Sequence, residues 1–138
     1  MKRAGLVAAV ALLVAWGSGV AAHHSAQQFD FTRSASISGV VKKFQAINPH
    51  MRLVLLVSDG KGSREVAFEG HSTNNMYRAG YRDGMIKVGD TITVYVAPLR
   101  DGSEGGYVTA ASTADGKRFG PQSRAEQEAE RAKAEGRP

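Results

Sequence analysis

Between about residues 31 and 119 the chain is written in short runs of alternating apolar and polar residues separated by turn residues, the pattern of strands with one buried face. The first run, 37–47, loses strict alternation at Gly39-Val40-Val41, where a bulge or strong bend is expected. In the second run, 51–57, Met51, Leu53, Leu55 and Val57 share one face, while Val54 and Leu56 make part of the other face apolar. Asp59-Gly60-Lys61-Gly62 turns the chain into a third run, 64–69, with Val66 and Phe68 inward and Glu65, Ala67 and Glu69 outward. The period then changes. Ser72 or Thr73 is placed to cap a helix of about two turns carrying Met76, Tyr77 and Ala79, limited by Gly80 and Gly84. Lys87 to Asp90 leads tightly into a fourth strand, 91–97, in which Ile92, Val94 and Val96 alternate with Thr91, Thr93 and Tyr95. Pro98 ends it. A loop over 99–106 precedes a fifth strand, 107–113, and Asp115-Gly116 turns the chain back toward Phe119.

Three strands, one short helix and two strands is the order of an OB-like five-stranded Greek-key barrel, with the helix plugging one end between strands three and four. A small open β-sandwich explains the same alternation. The single helix in the OB slot favours the barrel.

The two ends differ from this middle. Lys2-Arg3, an apolar run from Ala4 to Trp16 and the small residues Val20-Ala21-Ala22 read as a signal peptide over 1–22, cut after Ala22. The apolar run is shorter than the roughly 20 residues of a spanning helix, so an uncleaved anchor is the weaker reading and no stable membrane span is expected after cleavage. The domain would run from 23 to 119 in a periplasmic or secreted protein. Gly120-Pro121 then opens a charged tail, 120–138, which has no apolar residue larger than Ala after Pro121 and is expected to be solvated.

Composition removes several chemistries. The chain has 138 residues and no Cys, which excludes disulfides, thiolate metal sites and thiol catalysis together. Without Lys2 and Arg3 the 18 basic residues become 16 against 13 acidic ones, and the net charge of +5 becomes +3. That charge, the lack of basic–aromatic clusters and export argue against nucleic acid as a partner. Arg100, Asp101 and Glu104 form a polar group on the loop between strands four and five, but Asp-Gly is an ordinary turn signal. Ser25 and Ser72 lie near histidines only along the chain. No phosphate loop or hydrolytic metal motif occurs, so no enzyme activity and no catalytic residues are expected.

Ala22-His23-His24-Ser25 behind a leader, Asn48-Pro49-His50, the stretch from Arg78-Ala79-Gly80-Tyr81 to Val88-Gly89-Asp90, and Pro98-Leu99-Arg100-Asp101-Gly102 together resemble a family of small exported bacterial proteins of unknown function. The resemblance covers roughly residues 23–119 and implies export and a small β-domain, with no activity attached. In the family pattern the position of His71 is usually small, often Gly, and that of Tyr81 is often Trp, which argues against a general role for His71.

The four histidines are the remaining chemistry. Cleavage after Ala22 would free the α-amine of His23, so that this residue alone offers amine and imidazole nitrogens to a metal, which displaces a proton of pKa near ~8. Successive residues of an extended segment point opposite ways, so only one of His23 and His24 faces a given groove. His50, on a corner stiffened by Pro49, is the best further ligand. The expected metal site is therefore His23, His50 and also His24, with His71 dispensable and copper the first metal to try, since nitrogen ligands rank Cu(II) above its neighbours. A solvated terminus and a plain strand-ending turn account for the same residues without metal. Two functions follow: an exported binding module for a transition metal, or a structural or interaction module contacting another envelope protein.

Overall fold

A computed structural model describes residues 26–122, 127, 131, 132 and 134–136. The expected leader and cleavage site, His23 and His24 lie outside these residues, as does most of the tail. Strands β1 (Ala35–Gln45), β2 (Arg52–Asp59), β3 (Gly62–Gly70), β4 (Thr91–Ala97), β5 (Gly106–Thr113) and β6 (Arg118–Phe119) form one sheet, with helix α1 (Thr73–Arg78) between β3 and β4. The order is β3-β2-β1-β4-β5-β6, and a further pairing of β3 with β5 closes the first five strands into a barrel. That closure makes the fold OB-like and removes the open sandwich. It is parallel and short, joining Phe68 to Gly106, Glu69 to Tyr107 and Gly70 to Val108, whereas the other pairings are antiparallel.

The alternation seen in the sequence puts the expected residues inside. Met51, Leu53, Leu55, Val57, Val66, Phe68, Ile92, Val94, Val96 and Val108 are buried in one cluster, and burying each large aliphatic side chain is worth roughly 1.5–3 kcal/mol. β1 serves both sides of the barrel: residues from Ala35 to Val40 pair with β4, and residues from Val40 to Gln45 pair with β2. The irregularity that lets it bend falls between Val41 and Lys43, later than the expected break at Gly39. Gly39 has a different task. A Cβ there would lie 2.7 Å from the Leu56 carbonyl oxygen, so the residue is small because β2 passes too close for a side chain. β1 also starts and ends two residues earlier than the periodicity indicates, leaving Ala46 and Ile47 in the corner before β2.

Helix α1 plugs one end. The Ser72 hydroxyl accepts from the Asn75 N–H at 3.4 Å, and Met76 and Tyr81 are buried in the main core. Tyr81 packs its ring against Phe44, Tyr77 and Phe119 with centroids 5.7, 5.6 and 5.7 Å away. Phe119 belongs to β6, a short sixth strand that the turn at Asp115-Gly116 folds back onto β5. In the tail, the Glu135 N–H donates to the Arg131 carbonyl at 2.9 Å, a single helical bond. Among the described residues no helix is long and apolar enough to cross a membrane.

Candidate metal centre

His50 stands on the six-residue corner between β1 and β2, beside the cis Asn48–Pro49 bond. The corner is tied down from outside, since the Asn48 side-chain oxygen accepts from the Thr73 N–H at 3.1 Å. His50 Nδ1 lies 3.1 Å from the Gly70 carbonyl oxygen. A carbonyl only accepts, so Nδ1 carries the proton and the lone pair sits on Nε2. Such a fixed tautomer is what the backbone partner of a metal-binding histidine provides.

The β2–β3 pairing continues past the ends of both strands. Met51 donates to the His71 carbonyl at 3.0 Å and accepts from the Gly70 N–H at 3.2 Å, so that one residue faces two as in a bulge, with His50 and His71 at the same end of the hairpin. His71 Nδ1 is 3.1 Å from the Tyr107 hydroxyl. Burial, with the charge of His50 second, pushes the His71 imidazole below its ordinary value and favours the neutral ring. Burial, assisted by the Glu69 carboxylate, raises the Tyr107 phenol, which stays protonated. Both imidazoles stand edge-on to the Tyr107 ring, with centroids 6.2 Å away for His50 and 5.1 Å for His71.

Tyr107 also receives the N-terminal segment. Phe29 and Phe31 pack on its ring at 5.5 and 5.3 Å, and Phe29 is only 3% exposed. Backbone bonds hold the segment: Asp30 donates to the Pro98 carbonyl and Arg100 to the Gln28 carbonyl, each at 2.8 Å, and Arg100 Nε donates to the Gln27 carbonyl at 3.1 Å. His23 and His24 precede Phe29 by six and five residues. Among the described residues no cluster of three or more His, Cys, Asp or Glu side chains is arranged to hold a metal, so His50 and His71 form a pair and not a complete site.

The sequence reading set His71 aside, yet counting outward from the Asp-Gly-Lys-Gly turn, where Asp59 faces Gly62, brings it to the same end of the hairpin as His50.

The polar group expected on the β4–β5 loop is not one group. Asp101 accepts from its neighbour Ser103, Arg100 clips the N-terminal segment, and Glu104 reaches back to Arg64 on β3. Arg64 also holds Asp59 at 2.9 Å. A cavity of about 470 Å³ beside this cluster is lined by Ile37, Val57, Val66 and Pro98, and its cation is already paired. A groove of about 450 Å³ runs on the outside of β2 and β3 past Phe29, Leu99, Val54, Lys43, Arg52 and Glu69. There the buried Glu69 Oε1 has no hydrogen-bond partner among the described residues.

Comparison with known proteins adds a family and little else. Residues 10–109 match a family model described as a family of unknown function, DUF6152. No curated protein matches the chain. A solved structure of the ZRD-deleted mutant of TiaS in complex with agmatine is similar over 67% of this chain and 23% of that one, with 16% identity and a TM-score of 0.43. The chain therefore spans less than a quarter of that protein.

Proposed function

Since the chain belongs to the DUF6152 family, which is of unknown function, we propose from its own residues that it is an exported small barrel that binds a transition metal, copper first, through its N-terminal histidines and His50. The observation that carries this reading is the bond from His50 Nδ1–H to the Gly70 carbonyl, which leaves Nε2 to ligate. The docked Phe29 supports it as well. The Phe29 and His50 rings both pack on Tyr107, with centroids at 5.5 and 6.2 Å, and the chain turns back from Phe29 to Ala26, whose carbonyl accepts from the Phe29 N–H. The three residues from Ala26 to His23 span up to about 10 Å when extended, and the reading requires the terminal amine and imidazole of His23 to reach His50 over that length, with His24 as the alternate donor. The barrel supplies a rigid base and the segment supplies the closing nitrogens.

Titration of the exported, tag-free protein with Cu(II) tests the reading. Binding should be one to one, weakened by His50→Ala and by one extra residue ahead of His23. Equal binding by all three forms would overturn it.

The second reading is an envelope interaction module without metal. It is favoured by the groove in which Glu69 Oε1 lacks a donor among the described residues and which the cations Lys43 and Arg52 also line. An extended partner segment that brings an N–H to Glu69 and an acidic group to Lys43 or Arg52 fits that chemistry. Absence of copper binding together with a crosslink from this groove, lost in Lys43→Glu/Arg52→Glu, would favour it.

A further inference from the structure

We propose that the edge of β1 over Ala35–Gly39 is a docking site for an extended segment of a partner protein, one that carries an aliphatic residue with a Lys or Arg two positions away. The two edges of β1 are used unequally. Ala35 to Val40 pair with β4, whereas β2 takes up the opposite edge only from Val40 onward. Among the described residues no backbone hydrogen bond reaches that second edge between Ala35 and Gly39. Val57, Ser58 and Asp59 of β2 pair there with β3 alone. The β1–β2 ladder therefore stops at Leu56, and the cavity of about 470 Å³ lies beyond it, with Ala35–Ser38 on one wall and Val57–Asp59 on another. That volume is ordinary for a binding site. A bare strand edge presents N–H and C=O groups in alternation, and an extended backbone pairs with them in series.

Side-chain chemistry narrows the occupant. The cavity has an apolar floor of Ile37, Pro98 and the buried Val57 and Val66. One side of it is the Arg64 clasp, whose donors are all engaged: Nε donates to Glu104, Nη1 to Asp59 and the Gly62 carbonyl, and Nη2 to Asp59 and Glu104. Arg has five N–H donors, so an acidic group finds none left on Arg64. Acceptor capacity remains. Asp59 Oδ2 and Glu104 Oε2 each accept one bond, from Arg64, which leaves each a lone pair, and the two side chains are 43% and 48% exposed. A Lys or Arg side chain supplies the donor they can still take. Alternate residues of a strand share a face, so one segment covers Val57 and Val66 with an aliphatic side chain and meets the clasp two positions away. The groove past Lys43 and Arg52 selects the opposite charge, and neither His50 nor His71 lines this cavity, so copper binding has no bearing on it.

A displayed library of random nonapeptides is selected on the full chain, expressed with its own N-terminus. Enriched sequences should carry an aliphatic residue with Lys or Arg two positions away. When the best of them is synthesised and added to the isotope-labelled wild type, the amide resonances of Ala35–Gly39 and Val57–Asp59 should shift, a readout that needs no substitution. N-methylation of alternate peptide amides should weaken binding about tenfold in one of the two frames, the effect of one or two lost hydrogen bonds. Exchanging the basic residue for Glu should weaken it about fivefold, the scale of an exposed ion pair. Ser36→Trp fills the cavity from an exposed position and should prevent binding while leaving the melting temperature unchanged. Acidic enriched peptides, shifts confined to Lys43, Arg52 and Glu69, or full affinity after N-methylation in both frames would each overturn the assignment, as would a library from which nothing is enriched.

Discussion

At the residue scale, the side chains that matter most are those whose partners lie far away in sequence. Arg64 and Glu104 are forty positions apart, and no periodicity connects them, which is why the loop acid looked like a partner of Arg100. His50 and His71 are different, since a turn count puts them at the same end of the β2–β3 hairpin. Histidines were instead judged by chain neighbours and by family habit, and that is where His71 was lost. The Arg64 clasp also sets a pH dependence. Hydrogen bonding to Arg64, then to the Lys61 amide, lowers the Asp59 carboxyl from 3.8 to about 2, and Arg64 lowers Glu104 as well. Between these values the unfolded chain binds more protons, so stability rises with pH there. The contribution is complete above about pH 4 and is lost as pH falls through about 2. Urea denaturation from pH 5 to 2 should therefore show a steeper acid loss in the wild type than in Arg64→Met; equal slopes would remove the clasp as its cause. Gly39 gives a second residue-level outcome. Adding a Cβ 2.7 Å from the Leu56 oxygen forces β1 off β2, and Gly39→Ala should lower unfolding stability by about 1–3 kcal/mol.

At the element scale, strands were read well where one face is buried and less well where backbone contacts decide. The clean alternation of Ile92, Val94 and Val96 located β4 to the residue. In β1, Val40 and Val41 signalled an irregularity, but its position depends on which residues β2 and β4 claim, and pairing partners are not written in local composition. The helix was legible for two reasons, its Ser72 cap and the shift of period to Met76 and Tyr77. Its cap bond is long, 3.4 Å, so Ser72→Ala should cost only about 0.5–1 kcal/mol, read as a small fall in the urea midpoint. A loss several times larger would mean that Ser72 does more than cap.

For the whole molecule, the barrel was legible because one helix in one slot selects it, whereas the strand that completes it was not. The β3–β5 seam consists of three residue pairs and imposes no pattern of its own on either strand. The boundaries are open to direct measurement. Removal of 122–138 takes away no large apolar group, so the melting temperature should move by less than about 4 °C, the shift that roughly 1 kcal/mol produces in a domain of this size. A larger fall would show that the tail docks. If the protein is exported as proposed, its intact mass should begin at His23, and retention of Ala22 would remove the amine from the proposed metal site.

The short parallel seam also ranks the ways in which the barrel breathes. The β2–β3 hairpin zips through eight neighbouring pairs across a four-residue turn, while the seam joins segments some forty positions apart through three pairs. Such distant, sparse contacts are the cheapest to lose in sub-global opening. Amide protons bonded across the seam should exchange with solvent before those of Leu53 and Leu55. Tyr107, Phe29 and Phe31 lie across that same gap, and so do the two histidines. Tyr107, which His71 and the N-terminal segment both touch, is therefore a rivet at the joint where the ring would first come apart.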